Sequence, residues 1–182
     1  MSGTQQERAA LLETGAKLLA AGHGAAALTP GVIMRLAGTG PDSFKQCFPD
    51  VKEFKAELLR RLLNEILSEA AIASEEMLPG IPRMCRATEV YLDATLRRPA
   101  VRELMFTLHG HPAANEVNKQ RINGFVMIFR AEFDAVGAER AEPAARIATA
   151  LVVETAMAEF EARRALPEFR EALYAYFRRY EK

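Results

Sequence analysis

From position 54 the apolar residues Phe54, Leu58, Leu62, Ile66 and Ala70 recur every four positions, with charged residues and further apolar ones between them. That spacing puts one stripe on one side of a helix of 3.6 residues per turn. The same signature returns downstream, where Asn118, Ile122, Phe125, Phe129 and Phe133 share a face. Strand-like alternation is absent and clusters of β-branched residues are few. A chain so patterned is all-α, and its breakers divide it into about nine helices.

Those breakers set the expected boundaries. A first stripe, Leu11, Leu12, Leu18 and Leu19, ends at the glycines 22 and 24, since glycine is a natural helix stop. Thr29 before Pro30 is an N-cap followed by proline at the first helical position, opening a short helix through Val32, Ile33 and Leu36 to Gly38. Pro41 opens a third short helix that ends near Phe48 and Pro49, and Asp50 caps the long one. The stretch LPGIP at 78–82 breaks that helix. Further helices are expected at about 83–97, from 100 to the HGHP stretch, and at 113–136, 143–164 and 167–180.

Nearly half the chain is apolar and a quarter charged, which suits a globular protein with a core. No run approaches the roughly 18 apolar residues of a membrane span, so no membrane partner is expected. The N-terminal MSGTQQERAA has no apolar segment of a secretory signal. Cys47 and Cys85 make no disulfide framework. A reducing cytoplasm is the expected location.

The first three helices, the second and third joined by Ala37-Gly38-Thr39-Gly40, suggest a helix-turn-helix. In that motif the second helix packs on the first, which Ile33 and Leu36 can do, and a small residue lets two axes cross. The third helix turns polar side chains to the groove and anchors itself by an aromatic. Phe44 and Phe48, four apart, would point inward, with Pro41, Asp42, Ser43, Lys45 and Gln46 outward.

At these residues the chain resembles the TetR family of transcriptional regulators, over about residues 8–58. Gly24, Thr29, Ile33, Ala37-Gly38, Ser43-Phe44 and Phe48 match that family's pattern in register. The family's Val-Ser at the turn is here Thr39-Gly40, its DNA-backbone tyrosine is Lys45, its His or Tyr is Cys47, and its helix-four lysine falls one place late, at Lys52. Asp42 stands where a small or basic residue is usual. The resemblance implies a DNA-binding domain at 1–48 and a helical effector-binding and dimerisation domain at 49–182, linked by the helix at 50–77. It carries DNA contact onto Thr29, Thr39, Pro41, Asp42, Ser43, Lys45, Gln46 and Lys52. Lysine is a competent phosphate donor. Up to Phe48, four basic residues (Arg8, Lys17, Arg35, Lys45) face three acidic ones (Glu7, Glu13, Asp42), a balance of +1.

The resemblance further implies a pocket among the middle helices for a small apolar or amphipathic effector. Its expected lining is Cys85, Thr88, Leu92, Met105, Leu108, Asn118, Arg121, Ile122 and Phe125. The last two helices are expected to pair two chains. The first offers small residues (Ala144, Ala145, Ala148, Ala150, Ala156, Ala158) and the second an aromatic stripe (Phe169, Leu173, Tyr176, Phe177, Tyr180). His109 and His111 read as a helix end and loop, without metal-ligand spacing, so neither metal nor cofactor is expected. No phosphate loop or nucleophile elbow is present, and Glu75-Glu76 reads as a solvated helix end, so the chain is not expected to be an enzyme. The expected function is a homodimeric, ligand-responsive repressor on double-stranded DNA. The alternative is a helical ligand-binding or interaction protein of the same fold that has lost specific DNA binding.

Overall fold

Local chemistry starts the early helices. The computed structural model describes residues 3–181. Met1, Ser2 and Lys182, the outer ends of the two expected domains, lie outside the described residues. α1 is Gly3–Ala20 and is followed by a single 3-10 turn, Ala25–Ala27. α2, Pro30–Ala37, begins as its cap predicts: the Thr29 hydroxyl accepts the Val32 amide at 3.4 Å and Pro30 opens the helix. It ends on Gly38 at φ 66°, a left-handed geometry that glycine adopts without strain. α3, Ser43–Cys47, starts two residues later than expected, because Pro41 and Asp42 belong to the turn that returns the Ser43 amide to the Gly40 carbonyl. α4, Val51–Ile72, is capped by Asp50, whose Oδ1 accepts the Lys52 and Glu53 amides at 2.7 and 2.9 Å.

The remaining elements are α5 Ile81–Leu96, α6 Pro99–Thr107, α7 Pro112–Ala135, α8 Ala141–Ala162 and α9 Pro167–Arg178. The described residues thus form nine α-helices and no strand, as the periodicity requires. The inward stripe of α4 is all buried, from Phe54 to Ala70, and so are Phe125, Phe129 and Phe133 of α7. Among the described residues no helix is long and apolar enough to cross a membrane.

The helices form two compact units. One runs to Leu63 and takes in Ala100–Val117; the other is Asn64–Pro99 with Asn118 onward. The division between these units falls inside α4 and α7. The physical reason is visible in the first unit. Phe54 and Leu58 pack on α1, where a Cβ on Gly15 would stand 2.8 Å from the Phe54 ring. Glu103 of α6 accepts the Ala25 amide at 2.9 Å, tying that helix to the 3-10 turn.

In the second unit α5, α8 and α9 pack against one another. Two buried carboxylates organise it. Glu132 accepts the Gly80 amide at 2.7 Å and two nitrogens of Arg83. Glu159 accepts the Leu166 amide at 3.0 Å and the guanidinium of Arg170, which also reaches Asp93 at 2.7 Å.

Candidate functional site

The first unit presents a short helix on a rigid base. Phe44, Phe48 and Phe54 meet in a triangle with ring centroids 5.1–5.5 Å apart, and all three are buried. Arg8 of α1 closes this base from outside. Its guanidinium lies 4.4 Å over the Phe48 ring, hydrogen-bonds the Cys47 carbonyl and pairs with Glu57. Three independent contacts on one cation hold the C-terminal end of α3 against α1 and α4.

The opposite side of α3 is exposed at Lys45 and Gln46, and the turn before it at Pro41 and Asp42. Thr29 and Lys52 are exposed as well. Ser43 is not: it is buried, with Phe44, Cys47 and Phe48 on the inward arc of a helix too short to present more than two residues to solvent. The expectation that it faces outward is corrected accordingly. Thr39 is half-buried, and its hydroxyl has no partner among the described residues. Leu36 is also corrected, being more than half exposed while Ile33 alone of that pair packs inward. Among the described residues Arg35, Lys45 and Lys52 form no ion pair, whereas Arg8 and Lys17 are paired with Glu57 and Glu13.

The second unit holds a cavity of about 270 Å³. One wall is the end of α4 and the residues after it, from Leu67 to Glu75. Facing walls come from α5 (Arg83, Met84, Ala87, Thr88, Tyr91) and α7 (Phe125, Ile128, Phe129, Glu132), with Val152 of α8 behind. Tyr91 and Phe125 meet edge to face at 4.9 Å, and Phe125 stacks on Phe129 at 5.8 Å. The lining is therefore mainly apolar and aromatic, with a few polar groups, the usual constitution of a small-molecule site.

Of the nine residues expected to line a pocket, Thr88 and Phe125 do so. Leu92 is core, and Cys85 sits half-buried off the cavity, its thiol pushed up to about 11 by burial. Met105 and Leu108 belong to the first unit. Asn118 is exposed and accepts from Arg121 at 2.7 Å; Arg121 in turn reaches the Tyr91 hydroxyl at 3.4 Å. Ile122 is half-buried. The cavity lies farther along α7 than the expected lining, so the turns that meet it carry Ile128, Phe129 and Glu132 instead. Glu132 escaped the sequence reading although a signal existed: it is an acid set between Phe129 and Phe133 in a core stripe, a position that demands a buried partner.

The face expected to pair two chains divides in two. Leu173 and Phe177 of α9 are buried in their own unit, with Phe177 against Phe129 at 5.8 Å and Tyr180 against Phe133 at 4.7 Å. Ala144, Ala145 and Ala148 are likewise buried, and the Ala144 carbonyl accepts from the Tyr176 hydroxyl at 3.2 Å. Ile147, Ala150 and Met157 of α8 remain in a row on its exposed side, and Phe169 of α9 is 41 % exposed. His109 is exposed; His111 stands before α7 and accepts the Asn115 amide through its carbonyl at 3.0 Å. Among the described residues no three His, Cys, Asp or Glu side chains gather as metal ligands.

The sequence matches no protein-family model and no curated protein.

Proposed function

We propose that this protein is a ligand-responsive transcriptional regulator, a repressor that binds a two-fold-related DNA operator as a homodimer and is released by a small apolar or amphipathic effector. The observation that carries the reading is the exposed pair Lys45 and Gln46 on a five-residue helix whose other side is pinned by three phenylalanines. A helix that short gains nothing by itself; holding it rigidly with two polar side chains outward suits a surface that reads a partner. Lys45 supplies phosphate neutralisation and Gln46 a side-chain amide able to pair with a base edge. The resemblance to TetR-family regulators over residues 8–58 supports the same reading. The exposed apolar row Ile147, Ala150 and Met157 of α8 and the partly exposed Phe169 of α9 support pairing of two chains. The aromatic cavity supports a small effector, which acts only through a preference for one of two conformations.

Fluorescence anisotropy with a labelled duplex from the DNA flanking the protein's own gene tests this. The expected result is tight binding that weakens steeply with salt and exceeds binding to a scrambled duplex. A flat salt dependence, or equal affinity for both duplexes, overturns it.

One observation favours a second reading, a ligand-binding protein that no longer reads DNA. Arg8 is held by Glu57 and the Cys47 carbonyl, and Asp42 places an exposed carboxylate at the head of α3, where it repels phosphate. Under that reading the cavity binds its ligand while no duplex binds at any salt concentration.

A further inference from the structure

One residue of the cavity lining, Thr88, carries a hydroxyl that its own helix leaves unused. A threonine within a helix ordinarily turns its hydroxyl back to the carbonyl four residues earlier. Thr95 does so to Tyr91 at 2.8 Å, Thr149 to Ala145 at 2.8 Å and Thr107 to Glu103 at 2.7 Å. Thr88 does not. It is only 3 % exposed, it lines the cavity, and its Oγ1 has no partner among the described residues. A buried polar atom without a partner is a standing penalty that a ligand group can relieve.

The charged groups of the cavity are otherwise occupied. Arg83 gives both Nε and Nη2 to Glu132, and the second Glu132 oxygen takes the Gly80 amide. Their charges cancel, so neither partner offers a ligand an uncompensated charge. Glu75, exposed at the rim, adds a second carboxylate against the single guanidinium. An anion entering here loses its hydration and meets a net negative lining; a cation loses its hydration and finds its nearest buried carboxylate already paired.

We propose that the cavity selects an uncharged, predominantly apolar molecule carrying one hydroxyl or carbonyl, and that Thr88 Oγ1 is the residue that recognises this group. This rests on the reading of the cavity as a ligand site and specifies the ligand's class. The volume of about 270 Å³ lies at the small end for such sites, which limits the ligand to a short chain or a single substituted ring. Tyr91, Phe125 and Phe129 provide the apolar contact.

Isothermal titration calorimetry with octan-1-ol, octanoate and octylamine separates the terms, since the chain is constant and the head group changes. Octan-1-ol is expected to bind most tightly. Thr88→Val, nearly isosteric, is expected to weaken octan-1-ol by roughly fivefold while melting at or above the wild-type temperature, because it removes an unpaired hydroxyl. Thr88→Ser keeps the hydroxyl and restores most of the affinity. Ala87→Leu, which narrows the cavity from α5, is expected to abolish binding. If octanoate or octylamine binds as tightly as the alcohol, or Thr88→Val leaves the alcohol's affinity unchanged, the head-group assignment falls and the ligand site stands. If none of the three binds, or Ala87→Leu changes nothing, the ligand site itself falls with it.

Discussion

Four helices of this protein begin in two different ways. In the first unit α2 and α4 are capped by the residue just before them, Thr29 and Asp50. In the second unit α5 and α9 have no side-chain cap of their own at Gly80 and Leu166. The amides of these two N-cap residues are instead accepted by Glu132 and Glu159, 52 and 7 residues away in sequence. Each of these carboxylates is buried and also holds an arginine of the helix it caps, Arg83 in α5 and Arg170 in α9. A local cap fixes where a helix starts; a distant buried one also fixes where the helix sits. The second device therefore carries tertiary structure and should be far more costly to remove.

The largest expected effect tests that difference directly. Glu159→Ala leaves Arg170 with only Asp93 and strands the Leu166 amide. Breaking one side of a buried pair costs about 3–5 kcal/mol. Urea unfolding followed by circular dichroism measures it, and a loss no greater than that of Asp50→Ala would show the buried cap to be equivalent to the local one. Arg170, whose affinity for its proton is raised chiefly by the hydrogen bond it donates to Glu159, stays charged as pH rises, so the loss should not recover in alkaline solution.

A second contrast is one of space. Gly15 is buried where α1 meets α4, and an added Cβ would fall 2.8 Å from Phe54 Cζ and 3.0 Å from Leu58 Cδ2. Phe54 cannot yield easily, being fully buried between Phe44 and Phe48. Gly15→Leu is therefore expected to cost about 1–3 kcal/mol by overpacking. Ala87→Leu grows into the cavity instead and should cost less than about 1 kcal/mol. Equal melting temperatures for the two variants would mean that the first unit is packed no more tightly than the second around its cavity.

The local caps come next. Asp50→Ala should cost about 1 kcal/mol at neutral pH. The Asp50 carboxyl is held below its ordinary value of 3.8, foremost by the Glu53 amide, then by the Lys52 amide and the nearby His111 and Lys52 charges. A lowered folded-state value means that its contribution is complete above the unfolded-state value and is lost as pH falls through the lowered one. The stability gap between wild type and Asp50→Ala should thus be constant above pH 5 or so and shrink below about pH 4. A gap that persists unchanged at pH 2 would show that the ionised carboxylate contributes nothing beyond its shape.

This contrast also explains what the sequence disclosed. Thr29-Pro30 and Asp50 sit beside the helices they start, and the stripe from Phe54 to Ala70 repeats with the helical period, so the all-α fold and its early boundaries were legible locally. The start of α3 was missed by two residues because Pro41 serves equally well in a turn. The cavity was only half legible: Thr88 and Phe125 lie on predictable inward faces, but which turn of α7 meets α5 is set by the Glu132–Arg83 pair, a contact across 49 residues. Ser43 was misjudged because in a five-residue helix the direction of each side chain is set by packing of Phe44, Phe48 and Phe54 and not by periodicity. The divided character of α9, with Phe177 inward and Phe169 outward, likewise depends on partners that α9 alone does not specify.

The smallest expected change in stability belongs to the residue on which the proposed function depends most. Lys45 is exposed, forms no ion pair among the described residues, and lies on the outer side of α3. Lys45→Ala should therefore alter stability by no more than about 0.5 kcal/mol, the range of ordinary surface substitutions. Its effect on duplex binding should be large by comparison: affinity reduced for specific and scrambled duplexes alike, with the salt slope falling by about one. Gln46→Ala should do the reverse, narrowing the preference for the specific duplex and leaving the salt slope as it was. The pair separates gripping from reading on adjacent residues of one helix turn. If Lys45→Ala leaves the salt slope unchanged, the phosphate contact is not there, and the exposed side of α3 is a surface for some other partner.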